Sequence, residues 1–148
     1  MRRLRMVWSI ILTMSFGQIA YAAEKTSMQM TPELQNAIDA YAAKDYSKAR
    51  QLFIPLAGQK NVLAQFGLAK IYRYGQGIDI DYVKALKYYQ QAAKGSYGVA
   101  QSHLGEMYEQ GLGVDPNMSL AKSWYQIACA NACSEGCLNL KRLQEAGH

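Results

Sequence analysis

The chain repeats itself at an offset of 36 residues, and that offset limits its fold more than any other feature. Asp45-Tyr46-Ser47-Lys48-Ala49 is echoed by Asp81-Tyr82-Val83-Lys84-Ala85, and Asn117, Ser119 and Ala121 fall into the same places one offset further on. Between the stretches that begin at Ala64 and Ala100, eleven positions are identical in this register, among them Gln65/Gln101, Leu68/Leu104, Tyr72/Tyr108, Gly75/Gly111, Gly77/Gly113 and Tyr89/Tyr125. A unit of this length cannot bury its apolar face alone. Stacked copies bury a continuous core, so the period predicts an array of like units.

Within each unit the pattern is that of a helical hairpin. Ala64, Leu68, Ile71 and Tyr72, and again Ala100, Leu104, Met107 and Tyr108, lie on one face of a helix. Gly75 and Gly111 stand where each first helix must stop, and glycine accepts the left-handed conformation needed there. Asp45, Asp81 and Asn117 are N-cap residues for the second helices. Ala85, Tyr89 and Ala92, and Ala121, Tyr125 and Ala128, form the inner faces of those helices. Gly95 ends one second helix, and Asn131 does the same one offset later because asparagine tolerates the left-handed region. Thr31-Pro32 is a start signal, and Pro55 should kink the helix that contains it. The expectation is seven helices, near 31–43, 46–57, 62–74, 82–94, 97–110, 118–130 and 134–145. The fold class is all-α: a right-handed α-solenoid of about three hairpins (31–61, 62–97, 98–133) and a C-terminal capping helix within 134–148.

The formal net charge of +5 is concentrated at the start of the chain. Residues 1–22 contain Arg2, Arg3 and Arg5 but no acid. An apolar run from Met6 to Gly17 follows, and then Ala20-Tyr21-Ala22, small residues at the two positions a signal peptidase reads. This is the pattern of a cleavable signal peptide, with residues 23–30 as a flexible lead-in to the helical domain. The run is short for a bilayer span of ~20 residues, and no cysteine follows it to accept a lipid. Cleavage would leave a periplasmic or secreted chain of net charge 5 − 3 = +2 with no membrane span. So weak a field, without a basic run carrying interleaved aromatics, argues against nucleic acid.

The run Ala100-x-x-x-Leu104-Gly105-x-x-Tyr108-x-x-Gly111-x-Gly113-Val114 resembles the Sel-1-like repeat, a relative of the tetratricopeptide repeat. Ala121-Lys122-Ser123-Trp124-Tyr125-Gln126-Ile127-Ala128 fits the second half of that unit. Residues 64–93 match with Ala69 and Ile78 at two departures, while the short turn of the first unit is closer to a plain tetratricopeptide unit. The resemblance implies a binding module with a protein partner, no reaction and no cofactor. It also implies that first helices face a concave groove, which would place Phe66, Lys70, Arg73, Tyr74, His103, Glu106 and Gln110 on the binding surface. Two other roles stay open: an enzyme or binder acting on β-lactam or cell-wall substrates, as suggested for cysteine-rich relatives, and a structural part of an envelope machine.

Few residues carry chemistry. Gly75-x-Gly77 and Gly111-x-Gly113 lack the strand and the further motif residues of a phosphate loop and read as turns. His103 stands beside Gln101 and Ser102 with no carboxylate or cysteine at ligand spacing, and reads as a surface or groove histidine. No serine, histidine and acid form a nucleophile arrangement. Lys70 and Arg73 are replaced 36 residues later by Glu106 and Glu109, a pattern that stacked repeats turn into a charge ladder. Cys129, Cys133 and Cys137 are the sharpest local feature. Oxidation is expected after export. A bridge to Cys133 would join residues one helical turn apart, whereas Cys129 and Cys137 can meet across the turn between two helices. The seven residues between them match the spacing of cysteine-rich Sel-1-like repeats. Cys133 is then spare, either free in a monomer or available to cross-link two chains. Three cysteines without a nearby histidine or acid cluster make a poor zinc site.

Overall fold

In a computed structural model the protein is described over residues 29–147. The signal peptide expected at residues 1–22 and most of the expected lead-in lie outside the described residues. Among the described residues there are seven helices and no strand: α1 (Pro32–Ala42), α2 (Tyr46–Gly58), α3 (Val62–Tyr74), α4 (Tyr82–Lys94), α5 (Gly98–Gln110), α6 (Met118–Ala130) and α7 (Ser134–Glu145). Each helix packs on the next in sequence, and the closest pairings are the hairpins α3/α4 and α5/α6. The architecture is an all-α solenoid of helical repeats. No described helix is long and apolar enough to cross a membrane.

The helix starts follow from the caps. The Thr31, Asp45, Asn61, Asp81 and Asn117 side chains accept from the backbone N–H three residues on, at 2.9–3.2 Å. Each occupies one of the N–H groups that a helix leaves without an internal partner. Gly75 and Gly111 close α3 and α5 in the left-handed conformation, at φ 63° and 69°. Gly113 has a second reason to be glycine. A Cβ there would lie 2.6 Å from the carbonyl carbon and oxygen of Tyr82, so the loop of one unit can rest on the first turn of the second helix before it.

Two expectations need correction, and Pro55 lies inside its helix as expected. Asn131 is not left-handed (φ −89°), and neither is Gly95 (φ −82°). The left-handed residues are the next ones, Ser96 (φ 57°) and Ala132 (φ 58°), and Lys60 (φ 63°) occupies the same place one unit earlier. Gly95 is small for another reason, since its Cα lies against the Val62 side chain. Helix α2 runs through Pro55 for three further residues. Pro55 lies in the last turn, where removing one hydrogen bond disturbs little of the ladder. Tyr108, which shares a helix face with the buried Leu104 and Met107, is only half-buried, and its hydroxyl accepts from Gln90 Nε2 at 3.1 Å.

The core is a column of small and large residues in two clusters, both packed against the half-buried Tyr108. Tyr89 and Tyr125 are fully buried, flanked by Ala64, Ala85 and Ala92, and by Ala100, Ala121 and Ala128. The column closes on Leu143 of α7. A disulfide joins Cys129 in the last turn of α6 to Cys137 in the first turn of α7, with Cα atoms 4.6 Å apart. Gly136 makes the approach possible, since a Cβ there would meet that of Ala128 at 2.6 Å. Cys133 is free and buried, packed near Gly98. Its burial removes the exposed thiol that a cross-link between chains would require.

The cysteines should therefore differ in weight. Converting Cys129 and Cys137 together to alanine removes a short loop closure and should cost about 2–3 kcal/mol. Cys133→Ser loses a little apolar burial but places a good cap residue at the start of α7, so it should change stability by less than about 1 kcal/mol. Thermal and urea unfolding of the oxidised proteins measure both. A Cys133→Ser loss as large as that of the double variant would overturn the assignment.

Candidate binding surface

Six of the seven residues expected on the groove are drawn into one strip that crosses from α3 to α5. Phe66, Lys70, Arg73 and Tyr74 project from α3 at helical spacing, and His103 and Glu106 come from α5. Arg73 Nη2 lies 2.8 Å from Glu106 Oε2, and Arg73 Nη1 lies 3.0 Å from His103 Nδ1. Glu106 Oε2 is also 3.2 Å from His103 Nδ1. Glu106 therefore faces His103 at i,i+3, a carboxylate neighbour that the expectation of an isolated histidine overlooked. Nδ1 accepts from Arg73 only without its proton and donates to Glu106 only with it, so the two contacts alternate.

Aromatic rings surround this polar centre. The Phe66 ring sits 5.9 Å from Tyr89, 5.1 Å from Tyr97 and 5.7 Å from the His103 ring, with the two tyrosine contacts edge-on. Lys70 Nζ lies 4.9 Å from the Tyr41 ring centre and 5.8 Å from that of Phe66. The Arg73 guanidinium covers Tyr74 at 5.3 Å. Such contacts are worth about 0.5–1 kcal/mol at exposed sites and more where water is excluded. Tyr41 and Tyr97, which the groove expectation did not include, border the strip, and the core residue Tyr89 backs it from beneath.

The strip divides into buried and open parts. Arg73 is buried, and Glu106 and His103 are largely covered. Tyr74 is 49% exposed, and Gln110 is exposed at the end of α5, outside this network of contacts. Burial disfavours the charge on Glu106, but His103 and Arg73 more than offset it and hold the carboxyl below its usual range. Burial likewise opposes the charge on Arg73, and Glu106 reverses the balance and raises its pKa. The Tyr89 hydroxyl is buried beside the Arg73 guanidinium, and burial pushes its pKa up although Arg73 opposes the rise. Among the described residues no group of His, Cys, Asp and Glu is arranged to hold a metal ion.

A second polar centre follows one unit later. Glu109 Oε2 accepts from the Tyr125 hydroxyl and from Arg142 Nη2, each at 2.7 Å. Burial raises the Glu109 pKa, but Arg142 and Tyr125 lower it by more. The charge ladder therefore runs Arg73–Glu106 and Glu109–Arg142, diagonally between units, rather than between positions 36 apart. Arg142 stands 36 residues after Glu106, and that offset was the available signal for it.

The family model for the Sel1 repeat matches residues 39–61, 62–97 and 98–133. A Sel1 repeat protein from Oxalobacter formigenes is 31% identical with a TM-score of 0.71, covering 75% of this chain and 46% of that one. A protein named c5321, a protective antigen of uropathogenic Escherichia coli strains with the SLR fold, is 25% identical with a TM-score of 0.75. That match covers 88% of this chain and 28% of the other, so the chain spans less than half of either solved relative. No curated protein matches at a significant level.

Both glutamates are held below their ordinary value of 4.5, so they stabilise the fold above that pH and lose this contribution as the pH falls through their lower native values. Stability should drop in acid below pH 4.5. A variant carrying Glu106→Gln and Glu109→Gln should be less stable at neutral pH and show a flatter acid limb. Urea midpoints measured across that range decide it. Limbs that superimpose would mean that the two carboxylates are not coupled to folding.

Proposed function

Since the chain belongs to the Sel1 repeat family, whose members generally mediate protein–protein interaction, we propose that it is an exported adaptor that binds a protein partner along the first-helix strip of α3 and α5. The observation that carries this reading is the pre-arranged strip. Its buried charges are already paired, so Arg73 holds the Tyr74 ring without competing for a ligand, while Lys70 rests on the Tyr41 and Phe66 rings. Interfaces take much of their energy from aromatic anchors set among polar contacts, and a rigid anchor loses little entropy on binding.

Export rests on the Arg2-to-Ala22 pattern, with support from a disulfide, which persists in oxidising compartments. One solved relative is described as a protective antigen, a description that fits an exported chain. The units 31–61, 62–97 and 98–133 and the cap within 134–148 would form one domain after the lead-in of residues 23–30. An adaptor and a structural part of an envelope machine use such a surface in the same way. They differ only in what the partner belongs to.

The mature chain should begin at Ala23, and intact mass of the exported protein reads this directly. A mass that retains Met1 on a membrane-bound species would overturn it. A partner captured by cross-linking from periplasmic extract then allows the strip to be tested. Tyr74→Ala should weaken binding by roughly tenfold or more, in line with an aromatic anchor, while Lys48→Ala on α2 should not. Arg73→Ala is a poor probe, because it strands Glu106 and lowers stability. Equal affinities for Tyr74→Ala, Gln110→Ala and Lys48→Ala would place the partner elsewhere.

A further inference from the structure

We propose that the depression between α2 and α4 is a second docking site, one that takes an acidic peptide segment carrying apolar side chains from another protein. The depression has a volume of about 800 Å3, within the usual range for small-ligand sites. Its apolar lining includes Ala57, Val62 and Tyr88, and the exposed Ile54 (47%) joins them. Lys60, Lys87 and Lys94 complete it, all three are exposed, and no acidic residue lines it. None of the three lysines forms an ion pair with another described residue.

The repeat itself supplies the control. One unit further on, the same three places hold Ser96, Ser123 and Ala130. The stacking of α4 on α5 is therefore achieved without these charges, so the lysines are not a requirement of the solenoid. Lys94 complements the carbonyl end of α4. Lys87 is in mid-helix, and Lys60 occupies a left-handed position that asparagine or glycine would fill with less strain. Three cations without an ion-pair partner among the described residues, set around an apolar floor, attract carboxylates and reward an adjacent apolar side chain, which separates a peptide from a simple anion. The Tyr74–Arg73–Glu106 strip shares no residue with this site, so either site can fail without the other.

The probe is a fluorescein-labelled peptide of alternating glutamate with leucine and phenylalanine, titrated with the oxidised mature chain and followed by fluorescence anisotropy. Lys60→Ser, Lys87→Ser and Lys94→Ala are combined, giving this junction the residues of the next. Affinity should fall by about tenfold or more, with an unchanged melting temperature, and added salt should weaken the native complex. Replacing the probe's glutamates by glutamine, or its apolar residues by serine, should each weaken binding. Tyr74→Ala should leave it unchanged. The proposal is overturned if the native chain does not bind the probe, or if the triple variant binds it equally. It is also overturned if the serine-substituted probe binds as well, if inorganic phosphate at matched ionic strength displaces the probe, or if Tyr74→Ala abolishes binding.

Discussion

Each unit is fastened to the one before it at a recurring point, and the column of the solenoid depends on that fastening. Gln65 Nε2 donates to the Ala57 carbonyl at 3.3 Å, and Gln101 Nε2 donates to the Ala93 carbonyl at 3.0 Å. The donors are 36 residues apart, and so are the acceptors. Both carbonyls lie in the last turn of a second helix, where each also accepts from the backbone N–H three residues on, Lys60 or Ser96. Both glutamines are buried, so an unmatched amide would cost about 1–3 kcal/mol at each junction. One more step of 36 reaches Cys129 and Cys137. The disulfide stands where the hydrogen bond would be, at the junction beyond which no described repeat follows to hold the end in place.

The charged pairs impose order on units that are otherwise alike. Arg73 meets Glu106, and Glu109, which is Arg73's counterpart one unit on, meets Arg142. The sign alternates along the ladder. Stacking α7 directly on the second unit would bring Arg142 to Arg73, and stacking two copies of the third unit would bring Glu106 to Glu109. Like charges in partly buried places penalise both arrangements. The apolar column, built from the same alanines and tyrosines in the second and third units, gives no such discrimination.

The fold was legible because its information is local and written twice. Eleven identities fixed which residues share a role, and the caps at Asp45, Asp81 and Asn117 fixed where the second helices begin. The misreadings came where one residue type serves two purposes. Gly95 suggested a left-handed turn, but its smallness is needed against Val62, and Ser96 takes the turn. The site was half legible. Helical spacing put the right residues of α3 and α5 together, but not the way in which they pair. Parallel neighbouring helices are displaced so that residue 73 faces 106 and 109 faces 142, a step of 33, three residues short of the repeat. Three residues are nearly one helical turn, about 4.5 Å, and a one-dimensional comparison at period 36 does not contain that displacement.

This displacement decides which charges remain for recognition. Where it brings opposite signs together, as at Arg73 and Glu106, the pair is desolvated and committed to the stack, and neither partner can turn toward a ligand without stranding the other. What the strip offers outward is then shape and aromatic surface, chiefly at Tyr74, held by cations that lie over rings. The α2/α4 junction has the opposite character. Among the described residues its lysines have no ion-pair partner, so their charge is available to an acidic segment that fits. One scaffold thus carries a surface suited to specific fit and a surface suited to attraction. The difference arises from whether the neighbouring unit supplies the counter-charge.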